Sequence, residues 1–168
     1  SCKTIVPLME EIEIVKNYLS IMEVRHPNFF TAEFNISPEA EELMCPKMLL
    51  QPIIENTFKH GFVPRTKNAH IVISANVDTN RLIITIFDNG KGFPKETLSE
   101  LLNNFKQLNN SFYLPSNNST HIGLINIQSR IRLNYGQDYG LNIESEEGKF
   151  SKIILNLPII SKDENQDV

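Results

Sequence analysis

The stretch from residue 70 to residue 87 constrains this chain more than any other. Ile71, Ile73, Ala75 and Val77 alternate with His70, Ser74 and Asn76, the period of a strand. Asp78-Thr79-Asn80 supplies a turn. The next run places Leu82, Ile84 and Ile86 on one face, while Ile83 and Phe87 add apolar bulk to the other. A strand of that kind is buried on both sides and requires a layered sheet around it. It ends at Asp88-Asn89-Gly90-Lys91-Gly92. Residues 141–145 and 150–157 predict a closing hairpin around Glu146-Glu147-Gly148-Lys149. An earlier strand is predicted over 29–36, with Phe30, Ala32, Phe34 and Ile36 on one face and Ser37-Pro38 as its stop.

Helical periodicity fills the remainder. Over 7–22, Leu8, Ile12, Val15, Leu19 and Met22 form one stripe, with Pro7 suited to the first helical position and Pro27 ending the pattern. A second helix is predicted over 46–60, with Leu49, Leu50, Ile53, Ile54 and Phe58 as its core face and Gly61 as its stop. Pro52 lies inside that window, where proline kinks a helix or moves its start. Residues 98–108 read as a weaker helix, and 122–135 as a third clear one, with Leu124, Ile127, Ile131 and Tyr135 on one stripe and Gly136 as cap. Between these two, 109–120 is rich in Asn and Ser and aperiodic, the pattern of a loop. Residues 161–168 form a polar tail. No internal repeat is present.

At 168 residues the chain has room for one globular domain, two at most. Its 40% hydrophobic and 21% charged content excludes a disordered acidic tail, a collagen and a coiled-coil rod. A net charge of −4 is no polyanion-binding surface, so any bound phosphate must be held by local geometry. Cys2 and Cys45 form no C-x-x-C pair and have no histidine at ligand spacing, which points to a reduced cytosolic protein without a zinc site or disulfide scaffold. No apolar run approaches the ~18–20 residues of a membrane span. A start at Ser1 without an initiator Met or signal peptide leads us to expect a piece of a longer protein.

Three places offer chemistry, and each has an ordinary structural alternative. On a helix, Asn56, Lys59 and His60 share a face at i, i+3 and i+4. A neutral amide oxygen can ligate magnesium when substrate phosphates complete the shell, with Lys59 and His60 meeting phosphate oxygens. The alternative is a solvated face with a Glu55–Lys59 pair. Asp88, at a strand end beside Gly90, Gly92 and Phe93, can accept a hydrogen bond from the exocyclic amine of a base. The alternative is a hairpin turn at Asn89-Gly90. Thr120-His121-Ile122-Gly123-Leu124 joins a loop to a helix start, where free N–H groups make an anion site. The alternative is a helix simply capped by Thr120.

The order of these features resembles a known family. Leu50-Gln51-Pro52-Ile53-Ile54-Glu55-Asn56-Thr57-Phe58-Lys59-His60-Gly61 is similar to the N box of the LytS/YesM-like sensor histidine kinases, within the superfamily shared by gyrase, Hsp90, histidine kinases and MutL. Val6-Pro7-Leu8 through Tyr18-Leu19, and 127–136, look like the same subfamily, so the likeness covers about residues 5–158. It implies an α/β (α+β) sandwich of Bergerat type: a mixed, mainly antiparallel sheet with helices packed on one face. It also implies that Asn56 binds magnesium, that Lys59 and His60 lie near the phosphates of ATP, and that Asp88 reads the adenine amino group. Gly90, Gly92 and Phe93 would shape the adenine pocket, and 94–120 would form a lid. Thr120, His121, Ile122, Gly123 and Leu124 would correspond to the second glycine box, which usually opens with Gly where this chain has His121.

The resemblance also bears on the reaction. In ATP-hydrolysing relatives a Glu one helical turn before the magnesium Asn activates water, and that position here is Pro52, which cannot act as a base. Phosphotransfer is therefore favoured over hydrolysis, with Glu55 the nearest carboxylate. The acceptor expected for the subfamily is a His in a Pro-His-Phe context, and none of His26, His60, His70 and His121 has it. The expectation is a catalytic fragment of a protein-histidine kinase, inactive in isolation. Residues 1–25 would continue from a dimerisation domain, 26–160 would bind ATP and Mg2+, and 161–168 would be a tail. Its partners would be the upstream phosphoacceptor helices and a response regulator receiver domain, and not nucleic acid. The parent would be a homodimer anchored in the inner (plasma) membrane of a bacterium, with this domain in the cytoplasm. The other readings are a degenerate nucleotide-binding interaction module and an anti-sigma-type serine kinase.

Overall fold

The computed structural model describes residues 4–63, 66–108 and 121–162. In chain order the elements are β1 (Ile5–Pro7), α1 (Leu8–Arg25), β2 (Phe30–Ile36), α2 (Pro38–Glu41), β3 (Met44–Pro46), α3 (Leu50–Asn56), a π-helical segment (Thr57–Gly61), β4 (Ala69–Asp78), β5 (Arg81–Asp88), α4 (Lys95–Gln107), α5 (Ile122–Tyr135), β6 (Gly140–Glu146) and β7 (Phe150–Pro158). Five strands form one sheet in the order β2-β4-β5-β7-β6, and β1 pairs with β3 in a separate two-stranded ribbon. In the large sheet β2 runs parallel to β4, and every other pair is antiparallel. The fold class read from the sequence, a mixed and mainly antiparallel sheet with helices, is the one observed.

The strand alternation decides which face the helices cover. On β5, Leu82, Ile84, Ile86 and Asp88 are buried while the residues between them are half-buried. The same alternation buries Ala69, Ile71, Ile73 and Ala75 on β4, and Ser151, Ile153, Leu155 and Leu157 on β7. The apolar side chains among these share one continuous core with Leu8, Ile12, Val15 and Leu19 of α1, Leu50, Ile53 and Ile54 of α3, and Leu124, Ile127 and Ile131 of α5. The apolar stripe read from α1 is therefore a face of this core. No helix among the described residues is long and apolar enough to cross a membrane.

Several boundaries differ from the sequence reading. Pro7 is the N-cap residue of α1 and not its first helical residue, and α1 continues to Arg25. The helix expected over 46–60 starts at Leu50, because Pro46 belongs to β3. Pro52 then falls in the first turn, where an N–H has no intrahelical acceptor, so the ring breaks nothing. After Asn56 the helix widens into the π-helical segment. The short α2 follows the Ser37 stop and is capped by Ser37 Oγ, which accepts from Ala40 N at 3.2 Å. The predicted loop over 109–120 and the tail from 163 onward lie outside the described residues.

Candidate functional site

Asp88 ends β5, the central strand, and its side chain points to the helical face, 2% exposed. Its Oδ1 accepts from Gly90 N at 2.9 Å. Its Oδ2 accepts from Thr57 Oγ1 at 3.1 Å and from Ser151 Oγ at 2.5 Å. A carboxylate offers about four acceptor sites, so three donors leave one for a ligand. Burial raises the Asp88 carboxyl above its ordinary value, opposed by the hydrogen bonds from Ser151, Gly90 and Thr57.

A cavity of about 180 Å³ opens beside this carboxylate. Asn56, Thr57, His60 and Gly61 line it from the N-box segment, Lys91, Gly92 and Phe93 from the loop after β5, and Ser151 and Ile153 from β7. Pro94 and Thr97, at the start of α4, and His121 complete the lining. Asn56 Nδ2 is buried with no hydrogen-bond partner among the described residues, and the same is true of His121 Nδ1. Buried polar atoms without partners are uncommon and mark places where a ligand completes the network. The His121 ring lies 5.1 Å from the Phe93 ring and 4.9 Å from the His60 ring, centroid to centroid. Burial, together with repulsion from His60 and Lys91, lowers the His121 imidazole to about 4. His60 is lowered too, by burial first and then by Lys91 and Lys59. Shifted groups gathered around one cavity are a mark of a functional site.

The loop after β5 is fixed by its neighbours. Asn89 Oδ1 accepts from His70 N at 2.6 Å and its Nδ2 donates to Asn68 O at 2.8 Å. Lys91 N donates to Gly61 O at 2.9 Å. A Cβ on Gly90 would stand 2.5 Å from the Gly61 carbonyl oxygen. Gly92 has φ +65, and a Cβ there would collide with the carbonyl oxygens of Glu146 and Phe150. These glycines are thus required by close contact of the loop with the N-box segment and the β6–β7 hairpin.

Of the residues singled out from the sequence, Asn56, His60, Asp88, Gly92, Phe93 and His121 line the cavity. Gly90 holds the Asp88 carboxylate through its N–H. Lys59 and Glu55 do not line it: Lys59 Nζ lies 3.7 Å from Glu55 Oε2, and Glu55 Oε1 accepts from Gln51 Nε2 at 3.0 Å. The expected shared face of Asn56, Lys59 and His60 assumed regular α-helical spacing, and the π-helical turn alters it. Gly123 approaches Asn56, since a Cβ on it would stand 3.9 Å from Asn56 Nδ2. Leu124 is buried in the core and Ile122 is exposed. Thr120 lies outside the described residues. Thr57, Lys91 and Ser151 were not assigned a role from the sequence. Ser151 faces Asp88 only through the β5–β7 register, which local sequence does not display.

Comparison with known proteins agrees with this geometry. The chain is 32% identical over 156 residues to the sensor histidine kinase YesM of Bacillus subtilis (strain 168), covering 93% of this chain and 24% of that protein. It is 30% identical over 144 residues to the sensor protein LytS of Staphylococcus epidermidis (strain ATCC 35984 / RP62A), covering 84% of this chain and 23% of that protein. It therefore spans about a quarter of the length of these relatives. The solved catalytic domain of the histidine kinase ThkA has the same fold, with a TM-score of 0.67 at 16% identity, covering 95% of this chain and 98% of that one. Residues 45–161 match the family model described as histidine kinase-, DNA gyrase B-, and HSP90-like ATPase, and the chain belongs to that family.

Proposed function

We propose that this domain binds ATP with Mg2+ and is the catalytic part of a sensor histidine kinase. It would transfer the γ-phosphoryl group to a His on an upstream dimerisation helix, from which an Asp of a response regulator receives it. The observation that carries this reading is Asp88: a buried carboxylate with three donors fixed and one acceptor site left beside a base-sized cavity. Adenine presents an exocyclic amine to such a group, whereas guanine presents a carbonyl.

The phosphates would extend toward Asn56, His60 and Lys91, all on the cavity wall. Among the described residues no three His, Cys, Asp or Glu side chains gather as a metal cage. The polar groups on the cavity wall suit magnesium held by one amide oxygen together with phosphate oxygens and water. Asn56 stands on the cavity wall with its oxygen suited to that task, while its unpartnered Nδ2 is a donor that a phosphate oxygen would satisfy. Magnesium, when bound, neutralises charge on the phosphates. Pro52 offers no base for water, and Glu55 is engaged by Gln51 and Lys59, which supports phosphotransfer over hydrolysis. In the same reading, residues 1–25 continue from a dimerisation domain, and the homodimeric parent is anchored in a bacterial inner membrane with this domain in the cytoplasm.

The test is calorimetric titration with ATP and GTP in the presence of magnesium. ATP should be preferred by about 1–3 kcal/mol, the cost of opposing two acceptors in a buried site. Asp88→Asn should remove the preference. Equal affinity of the wild-type domain for both nucleotides would overturn the adenine assignment.

A further inference from the structure

Two carboxylates are buried among the described residues. Asp88 belongs to the site above; the other is Glu11, on α1, with 0% exposure. Both of its oxygens are used: Oε1 accepts from Met48 N at 2.7 Å, and Oε2 from Leu49 N at 2.9 Å and Leu50 N at 3.1 Å. These are the amides that open α3. A buried ionised carboxylate is costly unless donors surround it, and three backbone N–H groups at the positive end of a helix meet that need.

The local sequence gives α3 no cap of its own. Its N-cap residue is Leu49, which makes no side-chain capping bond. Helices usually take this bond from Ser, Thr, Asp or Asn at that position. Here the acceptor arrives from α1, 37 to 39 residues away in sequence. Met48 is held from a second side, because Arg130 Nη2 on α5 donates to Met48 O at 2.8 Å. Between the two grips Met48 adopts φ 60, a left-handed conformation that non-glycine residues rarely take. At its far end the same helix delivers Asn56 and, through the π-helical segment, His60 to the cavity. There α1 touches it again: the Tyr18 ring packs edge-on against Phe58 at 5.9 Å.

We propose that Glu11 is a positioning residue for the phosphate end of the nucleotide site, capping α3 from α1 so that Asn56 and His60 stand where α1 sets them. The inference rests on the nucleotide reading given above. Phosphate-binding groups act only within a few tenths of an ångström of their productive positions, so a shift of α3 weakens the phosphate end selectively. Asp88 is carried by β5, and two of its three donors, Gly90 N and Ser151 Oγ, come from outside α3 and the π-helical segment, so the base end depends on the cap less than the phosphate end does.

The experiment compares the wild-type chain with Glu11→Gln by calorimetry, using MgATP and adenosine as separate ligands. Gln keeps the size but turns an amide N–H group toward a backbone donor. MgATP should bind about tenfold more weakly, the scale of one weakened hydrogen bond to a charged group, while adenosine changes less than about twofold. Equal losses for the two ligands would make Glu11 a support of the whole fold, and an unchanged MgATP affinity would remove its positioning role; either overturns the inference. If Glu11→Gln does not fold, Arg130→Gln carries the same comparison, because it releases the other grip on Met48 and leaves no buried charge. Selective loss of MgATP binding then supports the inference, and uniform or absent loss overturns it. Wild-type protein that binds adenosine as tightly as MgATP would instead refute the phosphate site itself, and the positioning role with it.

Discussion

His121 stands in the cavity between the rings of Phe93 and His60, at the position where related glycine boxes usually open with Gly. In our reading a side chain there occupies space that the nucleotide would use, so His121→Gly should raise ATP affinity in calorimetry; weaker binding would show that the ring contacts the nucleotide. The same residue gives the fold a pH dependence of known sign. Its folded-state value of about 4 lies below the ordinary 6.5, because burial disfavours the imidazolium and His60 and Lys91 repel it. The unfolded chain therefore takes up this proton first as pH falls. Stability present above 6.5 is lost progressively between 6.5 and about 4. Asp88 acts with the opposite sign, since burial raises its carboxyl and its contribution declines as pH rises through its folded-state value. Thermal melts of wild type and His121→Gln isolate the first effect: the variant should show a flatter decline in Tm across the 6.5 to 4 interval, and parallel curves would contradict the assigned burial.

Among the elements, α3 shows what local sequence can and cannot convey. Its core face, Leu50, Ile53 and Ile54, follows from periodicity alone, and so does the stop near Gly61. Its start was misjudged because Pro52 and Leu49 carry no cap signal, and the cap comes from Glu11 on another helix. The widening into a π-helical turn was likewise invisible, since it changes no residue type. By contrast α5 was legible to the residue, because an apolar stripe and Gly136 mark it fully. The β4–β5 turn was equally plain: Thr79 and Asn80 both have positive φ, a conformation that Asn tolerates well. Strain at the α3 start yields a further prediction. Met48 is 46% exposed and held at φ 60, so Met48→Gly removes a left-handed penalty of about 1–2 kcal/mol and incurs a glycine entropy cost of about 0.5–1 kcal/mol. The variant should be more stable by roughly 0.5–1 kcal/mol, a rise of about 2 °C in Tm. A lower Tm would mean that the Met48 side chain contributes more than the strain costs.

For the molecule as a whole, the layered α/β fold and nearly half of the cavity wall could be read from the chain, because a strand apolar on both faces and an N-box run are local signals. The partners of Asp88 were only partly readable, since Ser151 meets it across β7. The chain spans about a quarter of the relatives' length, and in our reading the reaction also depends on parts beyond this domain. In our reading the nucleophile lies upstream, and holding it in line with the γ-phosphate is most of the work of phosphoryl transfer. Incubated alone with γ-labelled ATP, the domain should neither label itself nor release phosphate quickly. Adding the upstream helical segment, in cis or in trans, should produce acid-labile, base-stable labelling, and strong labelling of the domain alone would assign a different reaction. The register of β5 against β7 has one more consequence, which concerns synthesis. The Ser151 hydroxyl that steadies Asp88 lies 63 residues further along the chain. On the ribosome, at about 5–20 residues per second, Asp88 waits several seconds for its last protein donor. A nascent chain stalled before β7 has α1, α3 and β4–β5 already made, yet the Asp88 carboxylate lacks one of its three donors and the strand that pairs beside it. In our reading of the site, its nucleotide-binding geometry is thus completed late, when the closing hairpin joins the sheet.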